Sequence, residues 1–342
     1  MTAVTATIQT PATPAIRGDE DATGITIKLS PEDIERLSKL QPWRTCLQIA
    51  LEWVLIAGAI ILCEAFWNPL LYIVVVMWMG ARQHGLAILM HEGTHLRIFR
   101  NRFWNDFVSE VFTAWPIFIT TRAYRINHFA HHRFVNTDKD PDWNRKMKYN
   151  EDAWKFPKSR GHLIRMLLMD IIGLGCGMIA LAVYYLSWWP LPKDPAKRRM
   201  DILYHVARVV FYVVAFTIMV RLGVMKEFLL YWIVPFVTWF PLAQHIRSIA
   251  EHFAVENEHQ LNRTRTTYPS ILEKWFLIPN NINYHLDHHL YPSIPFYRLP
   301  EAHAILLKNP EFRARAHITN TYFGVLKECT EPPKHPEIAY QS

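Results

Sequence analysis

The sequence has few cysteines, and this limits the kinds of site that it can form. Four occur in 342 residues, at Cys46, Cys63, Cys176 and Cys329. They are widely spaced, and two of them lie inside apolar segments, so the pattern offers neither a disulfide framework nor a CxxC metal site. We therefore expect a reducing environment and an active site that faces the cytosol.

Signals of several other protein classes are also missing. The net charge is +7, but the Lys and Arg residues lie mainly in loops between apolar segments. A nucleic-acid binder would instead show a basic stripe with interleaved aromatic residues, so we expect no nucleic-acid partner. There is no GxGxxG after a strand pattern, no haem-binding cytochrome segment and no internal repeat. The N-terminus lacks a basic stretch followed by an apolar run, so no cleavable signal peptide is expected.

Long apolar segments dominate what is present. Hydrophobic residues make up 51% of the chain and are pooled into segments long enough to cross a bilayer, which takes about 20 helical residues. The fourth segment contains Pro235 and Pro241, which predict kinks. The sequence predicts two transmembrane hairpins, and their four spans are residues 47–66, 70–90, 203–220 and 228–243.

The distribution of positive charge predicts the orientation of these spans. The turn between the first two carries no Lys or Arg, whereas residues 91–165 carry fourteen. By the positive-inside rule the long loop is cytosolic, and so is the chain from residue 244 onward. The block 166–189 has a glycine-rich centre that favours a re-entrant or interfacial helical pair over a fifth span. Residues 104–121 also resemble an interfacial segment.

These features predict an all-α integral membrane protein with a histidine-rich cytosolic cap. Residues 1–30, rich in Thr, Ala and Pro, are expected to form a disordered tail. Ser30 followed by Pro31 predicts the first helix start, with Ser30 as the N-cap. The main domain is expected to span residues 31–310, and residues 311–342 to form a cytosolic C-terminal tail.

Eight of the seventeen histidines fall into three motifs. Two HxxHH motifs are improbable by chance, since roughly 0.04 are expected in a chain of this histidine content. Histidines three or four residues apart share one side of a helix, so each HxxHH presents three imidazoles together. Eight imidazoles exceed the needs of one tetrahedral zinc, which implies two metal ions, and imidazole suits several metals. The motifs are HEGTH with His91 and His95, HFAHH with His128, His131 and His132, and HLDHH with His285, His288 and His289.

HEGTH also fits a second interpretation. HExxH is the signature of zinc proteases, in which the two histidines bind zinc and the glutamate, here Glu92, is the general base. A membrane zinc protease would leave both HxxHH motifs without a purpose. It remains a minor alternative.

The three motifs occur in this order, with one predicted hairpin before the first and another before the third. In this arrangement they resemble the histidine boxes of the membrane fatty acid desaturase and hydroxylase superfamily. NTDKDPDW at 136–143 and NYHLDHHLYPSIP at 283–295 resemble its lipid desaturase branches. The resemblance covers roughly residues 45–310. It implies two iron ions, O2 as co-substrate and removal of hydrogen from a fatty-acyl or lipid alkyl chain. Hydroxylation or another oxidative modification of a lipid, carotenoid or small metabolite uses the same ligand set and stays open. A separate electron donor of ferredoxin or cytochrome type is implied.

The resemblance also implies further site residues. Relatives carry a histidine after the last span, and His252 in SIAEH fits that place as a ninth ligand, with His245 as the fallback. Carboxylates often orient metal-bound histidines, and such roles are expected for Glu92, Glu251 and Asp287. Asp138, Asp140 and Asp142 are further candidates for this role. For His84, two turns before His91, packing is favoured over ligation.

Overall fold

The structure is a computed structural model that describes residues 27–175 and 194–332. Within these ranges the chain is mostly helical and has one two-stranded parallel sheet. Of the tail predicted over residues 1–30, residues 1–26 lie outside the described residues, as does most of the glycine-rich block 166–189. Ile27 and Leu29 of the predicted tail are buried. The preference for a re-entrant pair in that block stays a prediction.

The first half of the described chain forms seven helices. Proline or a capping side chain starts several of them, as expected for helix N-termini. The predicted cap at Ser30 is confirmed, since its hydroxyl accepts a hydrogen bond from the backbone N–H of Asp33 at 3.0 Å. The helices are α1 Pro31–Leu37, α2 Pro42–Ala65, α3 Pro69–Thr94, α4 Arg102–Ser109, α5 Thr121–Phe134, α6 Pro141–Trp154 and α7 Arg160–Ile171.

The second half contains the remaining elements. The strands β1 and β2 are only three residues long and pair in parallel, with Thr266 opposite Ile318. The elements are α8 Pro195–Leu222, α9 Met225–Phe228, α10 Val234–Val237, α11 Trp239–His252, β1 Thr266–Tyr268, α12 Ile271–Phe276, α13 His285–Leu290, α14 Leu299–Leu306, α15 Pro310–Arg315, β2 Ile318–Asn320 and α16 Tyr322–Glu328.

Four helical stretches of the described chain are long and apolar enough to cross a membrane, in agreement with the four predicted spans. The helices extend several residues beyond the predicted bounds. Their environments differ, because the apolar window of the second stretch is 72% buried inside the protein and that of the third only 6%. The stretches are Pro42–Ala65, Pro69–Thr94, Arg198–Leu222 and Met225–His252.

Two irregular segments interrupt the helices near the site. The predicted interfacial segment 104–121 is α4 followed by a π-helical turn, Glu110–Ala114, and a 3₁₀ turn, Trp115–Ile117. The fourth stretch contains a π-helical turn, Leu229–Ile233, followed by the short helix α10. α10 ends at Val237, two residues after Pro235. This agrees with the predicted kink, since proline removes a helical hydrogen bond.

The central helix α3 packs against α2 on one side and α11 on the other. This arrangement brings the ends of α3 and α11, which carry predicted metal ligands, close together. Residues beyond 310, assigned to a tail from the sequence, include α16, whose Tyr322 and Val325 are buried in one core cluster with Ile249 of α11. The segment to Cys329 therefore packs with the domain.

Candidate metal centre

The nine predicted histidine ligands lie on four elements that meet at one place. α3 presents His91 in its last turn and is capped by His95. α11 ends at His252, and the short α13 begins at His285. α5 carries the HFAHH motif. Backbone segments far apart in the sequence thus place all the predicted imidazole ligands side by side.

Nine imidazoles form two groups in which one ring nitrogen of each member lies within 4.8 Å of those of the others. His252 belongs to the second group, whereas its fallback His245 belongs to neither. The first group is His91, His95, His128, His132 and His288, and the second is His131, His252, His285 and His289.

Each HxxHH motif divides between the two groups. On α5, His128 and His132 join the first group while His131 joins the second. On α13, His285 and His289 join the second group while His288 joins the first. The prediction that all three imidazoles of a motif lie together is therefore wrong. Residues four apart share a centre, and the third residue reaches the neighbouring centre, so each motif bridges the two.

The spacing of the ring nitrogens fits metal coordination. Two imidazole nitrogens bound at right angles to one ion, with bonds of about 2.1 Å, lie about 3 Å apart. The observed Nε2–Nε2 distances are 2.9 Å for His95–His128, 3.0 Å for His128–His132, 3.1 Å for His132–His288, 2.8 Å for His252–His285 and 3.0 Å for His285–His289.

Unpaired nitrogens support the same conclusion. Both ring nitrogens of His91 are buried and have no hydrogen-bond partner among the described residues. A buried polar atom left unpaired costs about 1–3 kcal/mol, so a native protein rarely leaves one without a reason. A metal ion bound to the group would provide the missing partner. The residues present therefore fit two metal ions with imidazole ligands.

Burial also keeps the imidazoles in the form that binds metals. Desolvation disfavours the charged imidazolium, and each neighbouring imidazole adds to the effect. The neutral ring keeps a lone pair for a metal ion. Burial, followed by the neighbouring charges, holds the pKa well below its usual value in His95, His128, His132, His285, His288 and His289.

Two carboxylates contact predicted ligands. Asp140 Oδ2 lies 2.8 Å from Nδ1 of His131, which leaves Nε2 of that ring for the metal position. Glu251 Oε1 lies 3.2 Å from Nδ1 of His285 and accepts a hydrogen bond from Nε of Arg247 at 2.6 Å. The contact with Asp140 is a hydrogen bond, which fixes the orientation of a metal-binding ring. Glu251 lies beside His285, but Nδ1 of His285 has no hydrogen-bond partner within the described residues.

Glu92 and Asp287 have other partners, which differs from the orienting roles expected from the sequence. Glu92 accepts a hydrogen bond from the backbone N–H of Phe296 at 3.1 Å. Asp287 accepts hydrogen bonds from Thr266 at 2.8 Å and from Nδ1 of His303 at 2.9 Å. Both carboxylates thus hold the chain around the third motif. Sequence reasoning missed His303, since it is a single histidine outside any motif.

A buried ion pair links the first two motifs. Arg125 of α5 donates to the carbonyls of Thr94 and Gly93 at 2.9 and 2.7 Å and pairs with Asp106 of α4 at 2.5 Å. Gly93 is required at this contact, because a Cβ there would overlap the side chain of Ser109. The glycine of HEGTH therefore allows α4 to approach the end of α3.

A second carboxylate fixes the start of α5. Glu110 is buried and accepts hydrogen bonds from the backbone N–H groups of Thr121 and Arg122 at 3.2 and 3.1 Å. Burial raises the pKa of Glu110 to about 7. This side chain connects the π-helical turn to the helix that carries the second motif.

The two remaining buried histidines near the spans have partners elsewhere. Nδ1 of His245 lies 2.7 Å from Oδ2 of Asp170, and both side chains are fully buried. Nδ1 of His84 lies 2.7 Å from the carbonyl of Leu277. These contacts agree with packing for His84, and His252 as the ninth ligand stays a prediction.

Long apolar helices together with a cluster of nine histidines are typical of a class of membrane oxidoreductases that carry histidine boxes. The model of the family described as fatty acid desaturase matches residues 65–320. The match covers more than half of the chain, which belongs to this family and is an oxidoreductase of desaturase type.

Curated relatives differ in what their names say they act on. The chain is 29% identical to the dihydrorhizobitoxine desaturase of Bradyrhizobium elkanii, over 84% of this chain and 82% of that protein. It is 24% identical to the sn-1 oleoyl-lipid 12-desaturase of Anabaena variabilis, over 70% of each chain. It is also 23% identical to a beta-carotene ketolase of a Paracoccus species, over 69% of this chain and 81% of that one.

Proposed function

We propose that this protein is a membrane-bound, O2-dependent di-iron enzyme that introduces a double bond into an alkyl chain of a fatty-acyl or lipid substrate. The observation that carries the proposal is the pair of imidazole groups, with five and four members. Each turnover would convert two adjacent CH2 groups to CH=CH. One O2, two electrons and two protons would be consumed, and two waters formed.

Iron is the metal we propose for both groups. Imidazole suits iron, copper, nickel and zinc, so the donor set alone leaves several metals open. Family membership favours iron, and the division into two groups favours two ions. When bound, the irons would supply the reduction of O2 and the removal of hydrogen from an unactivated C–H bond.

Protein side chains have three tasks in this scheme. The nine histidines hold the metals as neutral ligands. Asp140 and Glu251 orient His131 and His285, so that the Nε2 atoms of these rings face the metal position. Arg125 and Asp106 hold the first motif against the second.

The zinc protease alternative is less well supported. A general base must reach the metal-bound water, but the Glu92 carboxylate contacts the backbone of Phe296. The alternative also gives no role to the seven histidines outside HEGTH. A second candidate on the same scaffold is a hydroxylase or other oxidative tailoring enzyme. The resemblance to a ketolase favours keeping it.

We propose that the four apolar stretches span the membrane as two hairpins and that the histidines face the cytosol. The ends of α3 and α11 meet in one cluster and so lie on one face. Between these two ends the chain must cross the membrane an even number of times. The stretches Arg198–Leu222 and Met225–His252 would supply two crossings. Exposed apolar residues on α8, such as Val209 and Val213, would contact lipid. Residues 31–310 would form the catalytic domain, with α16 packed on it.

The electron donor is proposed to be a separate protein of ferredoxin or cytochrome type. The fourteen Lys and Arg residues of the loop 91–165 would lie on the cytosolic face. Positive charge there would attract an acidic donor and increase its association rate, more strongly at low salt.

Product analysis in cells that express the protein tests the reaction. Extracts are compared with those of cells expressing His288→Ala, which removes a ligand of the first group. A product two mass units lighter than its precursor, present only with the wild type, supports desaturation. A gain of sixteen mass units instead supports the hydroxylase. If the wild-type protein carries iron and its extracts contain no product that is absent from the His288→Ala extracts, both oxidations are contradicted.

A further inference from the structure

We propose that a cavity between α5, α6 and α11 binds a carboxylate group of the substrate, so that hydrogen is removed from carbons only a few bonds away from that charge. The inference rests on the proposed di-iron oxidation and specifies a substrate that reacts close to its own carboxylate, rather than in the middle of a long alkyl chain. The side chains proposed to hold the carboxylate are Arg247, Gln244 and Asn127.

The cavity opens directly onto the candidate metal centre. It has a volume of about 100 Å³ and is lined by His128 of the first group together with His131, His252 and His285 of the second. A molecule inside it would therefore lie beside both metal positions. This volume suits a carboxylate and the few carbons attached to it better than the middle of a long chain.

The rest of the lining is polar. Apart from the four histidines it consists of charged, amide and hydroxyl side chains, and Tyr124 supplies the sole carbocyclic ring. An alkyl chain in this space would remove these groups from water without giving them hydrogen bonds, which is unfavourable. A substrate with polar groups near its reacting carbons would satisfy them.

The balance of charge favours an anion. Asp142 contacts both Arg145 and Lys146 in α6, and Glu251 is paired with Arg247. The lining thus contains three cationic side chains and two carboxylates. Metal ions held by the adjacent histidines would make the potential more positive still.

Three side chains have hydrogen-bonding groups to spare. Arg247 is 9% exposed and donates from Nε to Glu251, while its two Nη groups have no hydrogen-bond partner in residues 27–175 and 194–332. The side-chain amides of Asn127 and Gln244 likewise have none within the described chain. A guanidinium with free N–H groups and two amides form a suitable set of donors for a carboxylate.

Equilibrium binding to the purified, iron-loaded full chain tests the inference. The probes are hexanoate and its neutral counterpart hexanamide, measured by calorimetry. Because hydrogen bonds to a charged group are stronger than neutral ones, hexanoate should bind about tenfold or more tightly than hexanamide. Arg247→Lys and Gln244→Leu should each reduce this preference several-fold. Arg133→Lys changes an exposed arginine on the same α5 helix as Asn127 and serves as the matched control.

A long-chain acid, octadecanoate, distinguishes two sources of the carboxylate. If octadecanoate binds with an affinity similar to that of hexanoate, the substrate is a small acid. If octadecanoate binds much more tightly and its binding still depends on Arg247, the substrate is an amphiphile whose carboxylate lies at the metals. Equal binding of hexanoate and hexanamide, or a preference unchanged in both cavity variants, overturns the inference. If the protein then contains two irons, the proposed function survives that failure. If it contains zinc and no iron, both fall together.

Discussion

At the scale of single residues, the candidate centre depends on which nitrogen of each imidazole is available. Nδ1 of His131 faces Asp140, and Nδ1 of His285 faces Glu251, so both rings present Nε2 to the second group. A carboxylate that accepts the Nδ1–H also makes Nε2 a better metal ligand. The identity of the carboxylate partner is therefore part of the site.

Asp140→Asn is expected to weaken iron binding by about 10- to 100-fold. Asparagine can still accept the hydrogen bonds that Asp140 Oδ1 receives from the start of α6. Its amide nitrogen would, however, face the Nδ1–H of His131. Iron titration of the purified protein measures the effect, with the exposed Asp138→Asn as the control. Equal affinities in the two variants would argue against an orienting role for Asp140.

His252→Ala and His245→Ala form a matched pair on α11. His252 belongs to the second group, whereas His245 is bonded to Asp170. Replacing a ligand weakens the metal site, so His252→Ala should lose about one of two irons per chain. His245→Ala should retain both irons, although it unfolds at a lower temperature because a buried contact is lost. Loss of iron from His245→Ala alone would reverse the assignment of the ninth ligand.

At the scale of elements, the contacts among α3, α4 and α5 hold the first motif beside the second. Arg125 and Asp106 are both buried, with exposed fractions of 6% and 3%. Removing one partner of a buried ion pair leaves the other charge without compensation. The pair thus couples the folding of these helices to the geometry of the site.

Arg125→Met should lower the free energy of unfolding by about 3–5 kcal/mol, since Asp106 would stay buried without its partner. The double variant Arg125→Met/Asp106→Leu should recover part of that loss. Thermal unfolding in detergent measures both variants. Arg102→Ala is the control, because Arg102 is exposed and lies 3.8 Å from the same carboxylate. Equal losses in Arg125→Met and Arg102→Ala would rule out the proposed coupling.

Glu110 predicts a dependence of stability on pH. Burial raises its pKa to about 7 from an ordinary value near 4.5, so the folded state holds a proton that the unfolded state has released. This residue therefore makes folding less favourable as pH rises from about 5 to about 7.5. The stability of Glu110→Gln relative to wild type should increase over that range by up to about 3 kcal/mol. A difference that does not change with pH would show that Glu110 is ionised throughout.

At the scale of the whole molecule, two buried helix ends set the position of the metal centre. The apolar window of α3 is the most buried of the four, at 72%, whereas only 6% of the window in α8 is buried. α3 and α11 carry candidate ligands at their ends, and α8 has many exposed apolar side chains. The scaffold thus separates the part that builds the candidate site from the part that we propose to face the membrane.

Much of this architecture could be predicted from the sequence, because its signals are local. Apolar runs predicted the four stretches, and spacing within motifs predicted the histidines. The partners of Glu92 and Asp287 could not be predicted, since Phe296 and His303 meet them only through the tertiary fold. The packing of α16 was missed for the same reason, because Tyr322 and Val325 meet Ile249 of α11 only through the tertiary fold.

The metal content of the protein tests the central claim most directly. The full chain is purified in mild detergent, and metals are quantified by mass spectrometry together with the protein concentration. Two groups of five and four histidines predict two irons per chain. One zinc and no iron per chain would contradict the account.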